Sequence, residues 1–213
     1  DEDGNFYTGD IADKINVLKN ITLSSVDCGK LIFETLLDGT SIPVQAVVQG
    51  ATPSKPEDPK HDGFVFAGWF ADKDYKTPFD WTATITEDVS AYAKWNVTYI
   101  DQNGKLQIKD GSEYTMLTNG AAASDLSGGW YVVAENMEFD GFSSTSDVNI
   151  IVADGASLKS TNSLIAQNIA IYGQKNQNGS IMVSGDNGIV ANGNIVIVGG
   201  NITATANDNG LYA

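Results

Sequence analysis

The amino-acid sequence predicts a mainly all-β protein, in which a small aromatic-rich sheet precedes a right-handed parallel β-helix. Between residues 30 and 96, apolar and aromatic side chains alternate with polar ones over short segments, which is the period of half-buried strands. Toward the C-terminus, a unit of 22 to 25 residues with Gly and Asn corners recurs. No run of about ten residues has the 3.6-residue period of a helix, so the repeats are predicted to consist of strands.

Composition excludes several classes of function. The 213 residues carry 12 basic and 27 acidic side chains, for a net charge of −15, and none is arginine. Such a chain repels phosphate backbones, so no nucleic-acid partner is expected. The single cysteine, Cys28, and the single histidine, His61, exclude intrachain disulfides, thiolate metal clusters and histidine-based metal or triad sites. No apolar run approaches the roughly 20 residues that span a bilayer, so no membrane insertion is expected.

Three segments are expected. Residues 1–29 form short strands with the pattern of the tail of a preceding repeat, residues 30–96 form the aromatic module, and residues 97–213 form the β-helix. Period-two spacing in the aromatic module predicts that one sheet face is a core, since so small a module needs its rings for stability. The predicted core rings are Phe64, Phe66, Trp69, Phe79, Trp81, Tyr92 and Trp95. The alternative is an exposed platform on which sugar rings stack.

Several motifs of the aromatic module carry a resemblance to a known family. They are Gly63-Phe64, Phe66, Gly68-Trp69-Phe70, Asp72, Phe79-Asp80, Ile85-Thr86-Glu87-Asp88 and Ala91-Tyr92-Ala93-Lys94-Trp95. This stretch resembles the Listeria/Bacteroides repeat, the B-repeat-like module of internalins and other bacterial surface proteins. The resemblance implies a small β-grasp-like module that serves as a stalk or spacer, without an assigned catalytic site.

The β-helix is predicted from stacked copies. Each coil of a parallel β-helix lies about 4.8 Å above the last, so like residues stack on like. The predicted inward ladder is Ile150, Ile169 and Ile195, and the predicted corner ladder is Asn162, Asn187 and Asn209. Residues 97–213 look like a β-helix module in surface proteins of gut bacteria, and they more distantly resemble carbohydrate-binding relatives of pectate lyases. Because such modules continue for further coils, a chain that ends inside a repeat is expected to be truncated.

Two groups of residues are candidate sites. Tyr131, Tyr172 and Tyr212 are candidates for ligand binding, since exposed aromatic faces stack against sugar rings, although they also suit ordinary strand positions. The candidate calcium ligands at the corners of neighbouring coils are Asp186, Asn187, Asp208 and Asn209. Stacked carboxylates there could share a calcium ion or serve a retaining glycosidase, but Asp-Asn-Gly is first of all a turn sequence. No other cofactor is expected.

The expected function is that of a non-catalytic, adhesin-like protein of the bacterial surface or the extracellular space. Scarce cysteine and abundant Asn, Gly, Thr and Ser are typical of such proteins. The expected partners are glycans, or host surface and matrix components. One alternative is a polysaccharide lyase or glycoside hydrolase with a groove on the β-helix, although arginine is absent and Lys159 is the only lysine between residues 110 and 174. A second alternative is a purely structural stalk.

Overall fold

The computed structural model describes residues 27–117 and 126–213, so the predicted strands of residues 1–26 lie outside the described residues. The described part contains strands in four sheets and no helix, which confirms the all-β prediction. None of its residues forms a helix long and apolar enough to cross a membrane.

In chain order the strands are β1 (Cys28–Glu34), β2 (Gln45–Val48), β3 (Phe64–Phe70), β4 (Val89–Ile100), β5 (Leu106–Lys109), β6 (Thr115–Leu117), β7 (Gly129–Val133), β8 (Met137–Phe139), β9 (Phe142–Ser143), β10 (Val148–Val152), β11 (Ser157–Ser160), β12 (Leu164–Ala166), β13 (Ile169–Gly173), β14 (Ser180–Gly185), β15 (Ile189–Ala191), β16 (Ile195–Ile197), β17 (Asn201–Ala206) and β18 (Leu211–Tyr212).

The first sheet has the strand order β2-β1-β4-β3, with β5 also paired to β4. Strands β1 and β4 are parallel, and the other pairs are antiparallel. The long strand β4 continues past residue 96, where the sequence suggested a boundary, and forms a hairpin with β5. No helix crosses this sheet within residues 27–117, and the proline-containing connection between β2 and β3 is a loop. The β-grasp-like description stays a prediction.

A β-bulge builds the aromatic core of the first sheet. In the pairing of β3 with β4, Phe66 lies opposite Trp95 and Gly68 opposite Lys94, so Ala67 is the extra residue. The bulge returns Trp69 to the face of Phe64 and Phe66, and Trp69 and Trp95 are 4% and 2% exposed. Their predicted burial is therefore confirmed, while Phe79 and Trp81 pack partly buried against the core.

Tyr92 was wrongly assigned to this core. On β4 the buried residues are Ala91, Ala93, Trp95 and Val97, and alternation directs the residues between them to the opposite face. Tyr92 is only half-buried there, and the Lys73 Nζ atom lies 5.7 Å from the centroid of its ring. Tyr92 and Trp95 are three positions apart, so period two places them on opposite faces.

The remaining strands form a parallel β-helix of about four turns, as predicted. Each coil contributes one strand to each of three parallel sheets, which have the orders β16-β13-β10-β7-β6, β17-β14-β11-β8 and β18-β15-β12-β9. We call these the second, third and fourth sheets. The interior is filled by aliphatic residues without solvent exposure, among them Ile150, Ile171, Ile181 and Ile189. Stacking therefore gives each coil a dry core that no single coil could form alone.

One predicted ladder has the wrong register. Ile169 pairs with Ile195 as predicted, but its partner on the preceding coil is Val148, and Ile150 pairs with Ile171. The error is a slip of two residues, which keeps every inward side chain pointing inward, so alternation alone could not detect it. At the corners, Leu164 pairs with Ile189, which pairs with Leu211. The predicted ladder Asn162, Asn187 and Asn209 lies two residues before these paired positions.

The first sheet packs against the outer face of the second sheet. The Tyr99 ring on β4 contacts the rings of Trp130 and Tyr172, with centroid distances of 5.3 and 5.2 Å. Trp130 and Tyr172 stack on each other at 5.2 Å with an interplanar angle of 23°. The Gln174 Nε2–H group, on the β-helix, donates to the Gly63 carbonyl oxygen at 2.7 Å. We call these five residues the junction, and they hold the two parts of the chain together.

Candidate functional site

The structure does not bring the three candidate tyrosines together. Tyr131 pairs with Ile150 in the second sheet and is 4% exposed, and its hydroxyl donates to the Gly128 carbonyl oxygen at 3.1 Å. Tyr172 is 8% exposed and belongs to the junction on the opposite face of that sheet. Only Tyr212 is exposed, on β18 of the fourth sheet. These rings therefore do not form one sugar-stacking platform.

The four candidate calcium ligands lie at one corner of the β-helix, where protein groups already use several of their oxygens. The Asp186 Oδ1 atom accepts a hydrogen bond from Asn207 Nδ2 at 3.0 Å, and the Asp186 carbonyl accepts from the Asp208 amide at 3.0 Å. The Asn187 carbonyl accepts from the Ser163 hydroxyl, and the Asn209 carbonyl accepts from the Gly188 amide at 2.9 Å. Within residues 27–117 and 126–213, no three His, Cys, Asp or Glu side chains form a metal-binding group.

A concave site lies beside the first sheet, in the described part of the chain. Its volume is about 490 Å³, which lies within the range typical of small-ligand sites, about 300–1,000 Å³. We call it the Tyr75–Tyr114 cavity; it is lined by Leu36, Lys73, Asp74, Tyr75, Trp95, Gly111, Ser112, Tyr114, Thr115 and Met116. Two tyrosines and one tryptophan thus share an open space with hydroxyl and aliphatic groups.

The loop after β3 positions Tyr75 through the carboxylate of Asp72. Asp72 Oδ1 accepts the backbone N–H groups of Asp74 and Lys76, both at 3.0 Å, and Oδ2 accepts that of Thr77 at 2.8 Å. These hydrogen bonds, with the one from Lys76 as the largest cause, lower the pKa of Asp72, so the carboxylate stays ionised. The wrapped loop holds Tyr75 at φ 57°, a left-handed conformation that bulky side chains rarely adopt.

Tyr114 forms the other aromatic wall, and it is fixed by Trp95. The Tyr114 hydroxyl donates to the Trp95 carbonyl oxygen at 2.8 Å, while Trp95 Nε1–H donates to the Thr35 carbonyl oxygen at 2.7 Å. Thr35 precedes Leu36, which is 48% exposed at the cavity and has φ 64°. Burial, together with the nearby Tyr75, raises the pKa of Tyr114, so its hydroxyl remains a neutral hydrogen-bond donor.

The charged side chains at the cavity already have partners. Asp74 Oδ2 lies 2.7 Å from Lys76 Nζ, and Lys73 Nζ lies over the Tyr92 ring. The Ser112 hydroxyl donates to Asp110, whose other neighbour, Lys94 Nζ, lies 2.7 Å away. These contacts, led by Lys94, lower the pKa of Asp110 to about 2. The cavity thus presents compensated charge around its aromatic walls.

Sequence reasoning missed this cavity because its walls come from distant segments. Tyr75 and Tyr114 lie on opposite sides of β4 in the chain, and neither belongs to an alternating strand pattern. The local signal was the short stretch Asp72-Lys73-Asp74-Tyr75, in which an Asx residue precedes a tight turn. That signal predicts the turn and does not predict that Tyr75 lines a cavity.

The architecture defines an all-β class in which a small mixed sheet is docked to a parallel β-helix. Residues 30–94 match the model of the Listeria-Bacteroides repeat domain, which confirms the resemblance over this stretch. The domain is typical of extracellular or surface proteins. Comparisons with curated proteins and with solved structures found no match.

Proposed function

We propose that this chain is a non-catalytic segment of an extracellular or bacterial cell-surface protein, and that it contacts glycans in an adhesin-like role. The observation that carries the proposal is the Listeria-Bacteroides repeat docked through an aromatic junction onto a β-helix. Surface attachment favours such a fixed arrangement, because a binding face that keeps its orientation loses less conformational freedom on contact.

The non-catalytic part of the proposal rests on how the polar side chains of the β-helix are used. Asp140 Oδ1 accepts from Asn162 at 2.7 Å, and Asp147 Oδ1 accepts from Asn168 at 2.6 Å. Lys159, the one lysine considered for lyase chemistry, lies 2.9 Å from Glu138 on the neighbouring coil. Groups that stabilise the stacking of coils in this way are poorly placed to transfer protons to a substrate.

A glycan array probed with the labelled chain tests the proposal. Binding to a defined set of glycans, together with no new reducing ends or unsaturated products on pectins and host glycans, is the expected result. Turnover of any of these polysaccharides would establish the enzyme alternative instead. Antibody labelling of intact cells of the source organism is expected to reach the protein without permeabilisation, and labelling only after lysis would contradict the surface location.

A purely structural stalk is the second candidate function, and the junction favours it. Three rings and a hydrogen bond between side chain and backbone fix the first sheet on the β-helix, which is what a spacer under load requires. If the chain is only a stalk, it should bind no glycan on the array although its junction is intact. The glycan-contact proposal predicts binding to a specific set of glycans.

A further inference from the structure

We propose that the Tyr75–Tyr114 cavity binds a neutral pyranose ring of a glycan. This inference rests on the proposed glycan-contact function and assigns the site and the class of sugar. A pyranose has an apolar face of C–H groups and a rim of hydroxyls, so it needs an aromatic wall and nearby polar groups together. The cavity offers the Tyr75 and Tyr114 rings beside the hydroxyls of Ser112 and Thr115.

The Tyr75 hydroxyl supplies an unused hydrogen-bonding group. Within the described part of the chain it has no hydrogen-bond partner, whereas the Tyr114 hydroxyl is bonded to the Trp95 carbonyl. Tyr75 is half-buried, and burial raises the pKa of its hydroxyl, which therefore stays protonated at neutral pH. A half-buried hydroxyl without a protein partner gains most from a ligand that both donates and accepts, as a sugar hydroxyl does.

Charge selects a neutral sugar over an acidic one. The charged residues that line the cavity are one cation, Lys73, and one anion, Asp74, so the lining has no excess positive charge to attract a carboxylate or sulfate. The chain as a whole carries a net charge of −15, which repels anionic glycans at long range. A wholly apolar ligand would leave the hydroxyls of Tyr75 and Thr115 unpaired.

The backbone around the cavity is held in place before any ligand arrives. Leu36 and Tyr75 are two of the three non-glycine residues with positive φ in the described ranges, and both line this cavity. Such conformations persist only where surrounding contacts enforce them, and they concentrate at binding sites. Here the Asp72 carboxylate enforces the Tyr75 conformation by accepting backbone hydrogen bonds from the loop. The hydrogen bond from Trp95 Nε1–H holds the carbonyl group of Thr35, the residue directly before Leu36. A fixed aromatic wall reduces the entropy that binding would otherwise cost.

Tyr75→Gly is the sharpest test, because glycine suits the positive φ while the aromatic wall is removed. Titration calorimetry would use methyl glycosides of glucose, galactose, mannose and N-acetylglucosamine, with N-acetylneuraminic acid as the acidic comparator. One or more neutral sugars should bind the full chain, and Tyr75→Gly should weaken that binding by about tenfold or more. Tyr75→Phe, which removes only the hydroxyl, should weaken it by a smaller factor.

Tyr212→Ala is the matched control, since it removes an exposed tyrosine from β18 of the fourth sheet, whereas the cavity lies beside the first sheet. It should leave sugar binding unchanged, and thermal melting would confirm that each variant is folded. Array binding that persists in Tyr75→Gly, or that is lost in Tyr212→Ala, would overturn the site while leaving the proposed function in place. Tighter binding of the acidic sugar than of the neutral ones would overturn the charge argument. If the full chain bound none of the glycans, both proposals would be overturned.

Discussion

At the scale of single residues, the sequence predicted which aromatic side chains are buried better than it predicted why. Period two accounts for Phe64, Phe66 and Trp95, but by strict alternation Trp69 would lie on the opposite face from Phe66. The extra residue at Ala67 corrects the phase, and Gly68 accommodates the bulge with φ 129°. A bulge of this kind depends on the partner strand, so the sequence of β3 alone does not reveal it.

Trp69→Ala is expected to reduce the free energy of unfolding by about 3–5 kcal/mol, because it empties a large buried volume. Phe33 and Phe66 contact the Trp69 ring at centroid distances of 5.2 and 5.4 Å and would lose this partner. Urea denaturation followed by circular dichroism measures the change. Val65→Ala on the same strand, where the side chain is 43% exposed, should cost under about 1 kcal/mol. Equal losses in both variants would contradict the assigned core.

At the scale of elements, stacking in the β-helix follows different rules inside and at the corners. Inside, like residues stack, as in the pairing of Ile150 with Ile171. At the corners, a carboxylate on one coil meets an amide on the next, as with Asp147 and Asn168. Two carboxylates on adjacent coils would repel each other, so the amide supplies a donor without adding charge. The repeat spacing predicted the coils, but it could not predict which corner groups exchange hydrogen bonds.

The same rule leads us to expect no specific calcium binding at the corner of Asp186 and Asp208. Calcium takes six to eight oxygen ligands, yet the Asp186 carboxylate is bonded to Asn207 and three corner carbonyls already accept protein hydrogen bonds. Melting curves in calcium and in sodium at equal ionic strength should therefore coincide. A calcium-specific rise in melting temperature that disappears in Asp186→Asn would instead establish the metal site.

At the scale of the whole molecule, the sequence predicted both architectures and missed how they join. The outer face of the second sheet, against which the first sheet packs, carries Val132 and Ile151, and neither has any solvent exposure. A strand covered on both sides loses alternation, and the available signal was the apolar runs at residues 130–133 of β7 and 150–152 of β10. Such runs predict burial on both faces and do not identify the covering element. The contacts of the junction form only in the tertiary fold, so no local sequence pattern predicts them.

Gly63→Ala should weaken the junction. Gly63 has φ 80°, and an added Cβ atom would overlap the side-chain amide of Gln174, whose hydrogen bond to the Gly63 carbonyl would break. Gly39→Ala is a matched control, since Gly39 has φ 76° and open space around it. Both variants carry the backbone cost of about 1–2 kcal/mol, and Gly63→Ala should lose about 1–3 kcal/mol more in urea unfolding. Equal losses would show that the Gln174 contact adds nothing to stability.

A second contact between the two parts of the chain should respond to pH, because Glu135, between β7 and β8, lies beside Asp38, in the turn after β1. A hydrogen bond to Asp38, burial and the negative charge of Asp38 raise the pKa of Glu135 above its usual 4.5. A carboxyl with a raised pKa in the folded state binds its proton more tightly there. Its contribution favours folding below about pH 4.5, and this contribution is lost as pH rises through the folded-state pKa.

Glu135→Gln is therefore expected to gain stability relative to the parent chain at pH 7, and the gain should shrink or vanish at pH 4.5. Asp72 and Asp110 have lowered pKa values and lose their stabilising charge only as pH falls further, so they do not interfere in this window. Urea unfolding at both pH values measures the difference. Glu57→Gln, in the exposed loop between β2 and β3, supplies a control that removes the same charge away from Asp38. If Glu135→Gln and Glu57→Gln changed stability alike at pH 7, the repulsion between Glu135 and Asp38 would contribute nothing to the stability of the chain.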